Sequence, residues 1–202
     1  MARSSWSVTT HDWTVDIDEA HLAEARRSAE VLGADLALHL VLEVLAYADD
    51  EAESLGRCGQ VVVDLRGPDV EVADDGRGTD TRRDERGRPI RKPVMATKDV
   101  RFFEADASPL LPDGHPRRGM STVSAVSPLL LHENWRAEGA WSQAYVHGVP
   151  QDELREGPPS DRTGTTVTFR LPSSAEVDVE RLRALGEDFD HVDVTVIGDV
   201  SG

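Results

Sequence analysis

From Leu36 to about Leu55, apolar residues at Leu36, Leu38, Leu40, Val41, Val44, Leu45 and Ala48 recur with the spacing of a long helix buried over much of its surface. His39 and Glu43 interrupt the longest apolar stretch, which ends at Ala48, so it reads as the core helix of a folded domain and not as a membrane span. Ahead of it, Asp18 to Gly33 has a second helical pattern, with Asp18 or Asp16 available as cap and Gly33 as stop.

The rest of the chain changes period. Gln60 to Leu65 and Val70 to Ala73 are short β-rich runs joined by Arg66-Gly67-Pro68-Asp69, the residues of a hairpin turn. Residues 74–93 and 104–118, rich in charge, Gly, Arg and Pro, read as long loops. Beyond Gly119 the pattern predicts a short helix at Met120 to Val126 and strands at Leu129 to Glu133, Ala140 to His147 and Thr165 to Leu171. A helix near Val177 to Leu185 and a last strand at Val192 to Ile197 complete the chain. Segregated helices and strands in this order imply an α+β sandwich, not a regular βαβ alternation. A length of 202 residues suits one domain, 1–202.

Charge and cysteine usage narrow the function classes. The 38 acidic residues against 22 basic ones give a net charge of −16, which repels a phosphate backbone and argues against direct DNA binding by this domain. Cys58 is the single cysteine, so neither an internal disulfide nor a cysteine zinc cluster can form, and a soluble protein of the reducing cytoplasm is expected. A protein partner is not named by any motif.

Five motifs then follow one another in order. The segment from His39 to Ala52 places Glu43 four residues before Tyr47, followed by Ala48, Asp50 and Glu51; Asp74-Asp75-Gly76-Arg77-Gly78 comes next. After these come Arg136-Ala137-Glu138-Gly139, the run Tyr145 to Gln151, and Thr163-Gly164-Thr165. Together they resemble the ATP-binding domain of the gyrase B family of type IIA topoisomerases. That resemblance implies the Bergerat (GHKL) fold: a two-layer α+β sandwich in which a mixed, mostly antiparallel sheet is covered by helices on one face.

Chemically, the adenine end of such a pocket is well supplied. A carboxylate at Asp74 can accept a hydrogen bond from an exocyclic amine, and Thr165 can complete the contact. Gly76 and Gly78 let the backbone approach a base without a Cβ in the way. By the resemblance, Arg77 and Glu51 pair across the pocket mouth, Arg136 lies at its rim, and Glu43 is the residue that activates water for attack on the γ-phosphate.

The opposite end departs from the family. Tyr47 stands where an asparagine ligates magnesium, and a neutral phenol is a poor ligand for that hard cation. The family's glycine-rich phosphate lid is here Gly114-His115-Pro116-Arg117-Arg118-Gly119, in which Pro116 lacks an N–H, and its upstream Gly-Gly appears as Asp99-Val100 before Arg101. Arg101, Arg117, Arg118 and Gly119 are the remaining candidates for phosphate contacts. Residues 1–34 look unrelated to the family, and the transducer and DNA-cleaving regions are not expected in this chain, which reads as a divergent stand-alone domain.

The leading expectation is therefore binding of ATP, ADP or a similar planar small molecule with weak or absent hydrolysis and without a magnesium site of the usual kind. Two alternatives stand beside it. One is a small-molecule enzyme using the same pocket, with Glu43 as general base and Tyr47 as acid or hydrogen-bond donor. The other is a pseudo-ATPase acting through a regulatory surface.

Overall fold

The computed structural model describes residues 17–79, 82–83, 85–87, 89–90, 93–103, 108–137, 139–173 and 175–198. Expectations for the start of the chain, for residues 80–81, 84, 88 and 91–92 of the first loop, for 104–107 of the second and for Glu138 lie outside the described residues.

Helix α1 (Glu19–Ala29) begins where the Asp18 side chain accepts the His21 N–H at 2.9 Å, a cap that satisfies one of the donors left open at a helix start. A 3-10 turn over Glu30–Asp35 joins it to α2 (Leu36–Leu55), and Gly33, at φ 54°, makes the kink between the two. Helix α2 stops at Gly56 in the left-handed conformation, with its N–H bonded back to the Ala52 and Glu53 carbonyls. The expected single helix through Gly33 thus divides into an α-helix and a tighter turn.

Two strands follow as a hairpin, β1 (Gly59–Asp64) and β2 (Val70–Asp74), antiparallel as the turn residues imply. A two-residue ribbon, β3 (Arg82–Arg83) with β4 (Pro89–Ile90), lies inside the expected first loop. The one-turn helix α3 (Val100–Phe103) precedes the second loop, and α4 (Met120–Val126) follows it. Then come β5 (Leu130–Arg136), β6 (Gly139–Val146), β7 (Val149–Gly157) and β8 (Gly164–Phe169), helix α5 (Val179–Gly186) and β9 (Val192–Ile197). Strand β7 has no counterpart among the expected strands: Pro150 and the charged residues of QDELREG hide its period, and its pairing with β6 forms it.

The main sheet has seven strands in the order β7-β6-β5-β8-β2-β1-β9. Every neighbouring pair is antiparallel except β1 with β9. This is the α+β, mostly antiparallel sandwich that the sequence implies. Along β1 the residues alternate between buried and exposed, and Val61 and Val63 join Leu42, Leu45, Leu130, Phe169 and Leu182 in one core between sheet and helices. Each such side chain contributes about 1.5–3 kcal/mol by leaving water. That packing accounts for the apolar character of α2: it is the core helix. Helix α1 adds a small cluster of Leu22 and Ala25 against Ala125 of α4.

Chain order explains the site. Because β8 enters the sheet between β2 and β5, the ends of three distant segments meet: Asp74 closing β2, Thr165 opening β8, and Asn134 late in β5.

Candidate functional site

A cavity of about 250 Å³ lies between one side of α2 and these strand ends. Val44, Tyr47, Ala48 and Glu51 face it from the helix, at the three- and four-residue spacings that share a helical face. Asp74, Arg77, Gly78 and Thr165 line it from the sheet side, and Met95 and Met120 close it further along.

Asp74 is fixed by its neighbours. Its Oδ1 accepts the N–H of Gly76 at 2.8 Å and of Thr165 at 3.2 Å, while Oδ2 takes no hydrogen bond among the described residues. Burial pushes the Asp74 carboxyl up to about 6, against the two backbone N–H groups, which pull it down. Two glycines make the arrangement possible. A Cβ on Gly164, at φ 121°, would overlap the Asp74 carbonyl oxygen, and one on Gly78, at φ 74°, would lie 2.6 Å from that of Trp135. Only glycine tolerates both the conformation and the approach.

At the mouth, Arg77 Nε pairs with Glu51 Oε1 at 2.8 Å, and Arg136 Nη1 donates to the Gly78 carbonyl at 3.2 Å. Gly76 packs under this pair, since a Cβ there would meet Asp74 Oδ1 at 2.7 Å and Glu51 Cγ at 3.0 Å. Behind Gly78, the buried Asn134 accepts the Thr79 N–H through Oδ1, and its Nδ2 has no partner among the described residues.

The Tyr47 end is filled by a charged network. Tyr47 donates its hydroxyl to Asp99 Oδ2 at 2.9 Å. Arg101 grips Asp99 through Nε and Nη2, at 3.0 and 2.7 Å, and reaches Asp50 through Nη1 at 3.0 Å. Arg117 takes both Asp50 oxygens, at 3.0 and 2.8 Å. Both guanidinium groups also stack on the Phe102 ring, at 4.9 and 4.6 Å, and near the Tyr47 ring, at 5.7 and 5.2 Å. Burial and the neighbouring Asp99 carboxylate raise the Tyr47 phenol far above its ordinary value. Burial would raise Asp99, but the Arg101 bonds outweigh it and hold the carboxyl below the usual range.

Glu43 is fully buried, and its carboxylate points at the start of α4, where it accepts the N–H groups of Arg118 and, at 2.8 Å, of Gly119. His39 Nε2 lies 3.3 Å from Glu43 Oε1, and His39 Nδ1 lies 2.8 Å from Asp113 Oδ2. Burial alone would lower the His39 pKa, but Asp113 and Glu43 on either side raise it from 6.5 to about 9.

Of the sequence-selected residues, Tyr47, Glu51, Asp74, Arg77, Gly78 and Thr165 meet around one cavity, with Gly76 and Arg136 against its wall. Glu43, Arg101, Arg117, Arg118 and Gly119 do not line it. Sequence reasoning missed Asp50, Asp99, Asp113 and His39 as participants. The visible signal was a pair of acids, Asp50 and Asp99, in a chain whose 114–119 segment carries two adjacent arginines. Among the described residues no group of three or more His, Cys, Asp or Glu side chains is placed to hold a metal ion. Nor do the residues present suit magnesium: the Asp50 and Asp99 carboxylates are each paired with arginine, and Tyr47 is itself a donor to Asp99.

No family model matches the chain. It is 37% identical over 132 residues to the B subunit of DNA gyrase from Mycobacterium tuberculosis (strain ATCC 25618 / H37Rv), covering 65% of this chain and 19% of the relative. To the gyrase B protein of Micrococcus luteus it is 35% identical over 153 residues, 72% of this chain and 21% of the relative. To that of Staphylococcus aureus it is 31% identical over 134 residues, 65% and 21%. The match spans about a fifth of the length of these curated relatives.

Proposed function

The chain carries a gyrase-B-like domain, and from that premise we propose that its cavity binds an adenine nucleotide or a similar planar, amine-bearing heterocycle, with weak or absent hydrolysis of any phosphate. One observation carries the reading. Asp74 sits in the cavity wall with Oδ1 held by two backbone N–H groups and Oδ2 without a partner among the described residues, the state of a carboxylate presented to a donor. Apolar walls from Val44, Met95 and Met120 suit a flat ring.

Hydrolysis receives no comparable support. Glu43 would have to face a bound water to serve as general base, yet its carboxylate is turned to the Arg118 and Gly119 N–H groups. The same geometry weakens a repurposed-enzyme reading with Glu43 as base. Residues 1–202 are read as one domain working in the cytoplasm, with a surface whose net charge of −16 disfavours direct contact with DNA.

The test is a ligand screen by thermal shift followed by calorimetry, using adenine, adenosine, ADP and ATP on the unmodified chain and on Asp74→Asn. A ligand that binds only the folded state raises the melting temperature more the tighter it binds, so no reaction need be known. At least one adenine ligand should bind the unmodified chain and lose affinity in Asp74→Asn; absence of binding by all four ends the proposal.

A further inference from the structure

We infer that the ligand of this cavity is an unphosphorylated heterocycle, a nucleobase or nucleoside, because the donors placed around it among the described residues are already bound within the chain, most of them to its own carboxylates. The inference rests on the proposed adenine-type reading and narrows it.

An anionic tail attached to a base at Asp74 needs donors. Among the described residues these include the Arg77 and Arg136 side chains at the mouth, Arg101 and Arg117 beyond Tyr47, and the backbone N–H groups of Arg118 and Gly119 that lead into α4. Each has an internal acceptor: Arg77 has Glu51, Arg136 the Gly78 carbonyl, and Arg101 and Arg117 have Asp99 and Asp50. The Arg118 and Gly119 N–H groups have Glu43. These two N–H groups, at the entry to α4, therefore already serve a carboxylate of the chain itself and not a phosphate oxygen.

Around Tyr47 these pairings cannot simply be exchanged for a ligand. The Asp99 side chain is 1% exposed, so turning Arg101 toward a phosphate would leave that carboxylate buried without its counter-ion, while the Arg117 side chain, 9% exposed, is held in place by both Asp50 oxygens. The guanidinium groups are further held over the Phe102 and Tyr47 rings. Released carboxylates at Asp50 and Asp99 would stand next to the incoming anion and repel it, in a chain that is strongly acidic overall. Tyr47 occupies the intervening space, lining the cavity with its ring while its hydroxyl is committed to Asp99. The cavity therefore has a polar, carboxylate-bearing end for an amine and a closed, internally neutralised end where a charged tail would have to go.

The experiment is titration calorimetry of the 202-residue chain with adenosine, ADP and ATP, each with and without magnesium, and with ADP repeated in competition with adenosine. Adenosine is expected to bind, with ADP and ATP no more than about threefold tighter and magnesium without effect. Nucleotides binding more than about threefold tighter than adenosine would overturn the inference while leaving the adenine-type reading in place. Binding by none of the three would remove both.

Discussion

Glu43, midway along α2, accepts the backbone N–H of Gly119 at 2.8 Å across a sequence separation of 76 residues. The bond ties the core helix to the start of α4, and together with the Arg118 N–H and His39 it consumes a carboxylate that the motif alone would assign to chemistry.

Glu43→Ala is accordingly expected to act on stability. It strands the N–H donors of Arg118 and the buried Gly119 and leaves His39 without one of its two acidic neighbours, at a cost of about 2–4 kcal/mol. Urea denaturation should show the loss, with Glu43→Gln, which keeps an acceptor oxygen, losing less.

His39 makes the same network pH-dependent. Its folded pKa of about 9 exceeds the ordinary 6.5, so its contribution is complete below pH 6.5 and is lost as pH rises through about 9. The contribution is on the order of 2–3 kcal/mol. Denaturation midpoints between pH 6 and 10 should fall with pH in the unmodified protein, and His39→Gln should flatten the profile.

Adenosine binding should weaken on the acid side. A donor to Asp74 favours the ionised carboxylate, whose pKa of about 6 in the folded protein means that lowering the pH through 6 protonates the acceptor. Calorimetry at pH 5 and pH 7.5 should give affinities about tenfold apart, the higher at pH 7.5. Equal affinities would remove Asp74 from the contact.

Gly164→Ala tests the close approach behind that carboxylate. A Cβ overlapping the Asp74 carbonyl at φ 121° forces β8 away from β2. A loss of at least about 2 kcal/mol is expected, read as a lower melting temperature together with weaker adenosine binding. A variant of unchanged stability would show that the two strands have room to spare.

Much of this architecture is legible in the residues. Met120 to Val126 and Val192 to Ile197 have the expected bounds, since each carries a clean local period between turn residues. Strand β7 was not legible: its alternation is masked by charge, and it is held by β6 and not by its own burial. In the site, Asp74, Gly78 and Thr165 could be selected because each residue type has a specific use against a planar ligand. Asp50 and Asp99 could not, because an acid on a helix flank or in a loop looks solvated until its partner is placed beside it.

Residue order alone suffices for the α+β pattern, the buried character of α2, the resemblance carried by the ordered motifs, and the presence of Pro116 and two arginines between Gly114 and Gly119. Where the charges go was settled by packing in three dimensions. Periodicity and spacing report which residues share a face, but the partners of Arg101, Arg117 and Glu43 include residues brought from up to 76 positions away, and whether a charge is presented to a ligand or neutralised within the fold depends on that neighbour. Glu43, which the resemblance would assign to hydrolysis, is by its packing a tie between α2 and the start of α4.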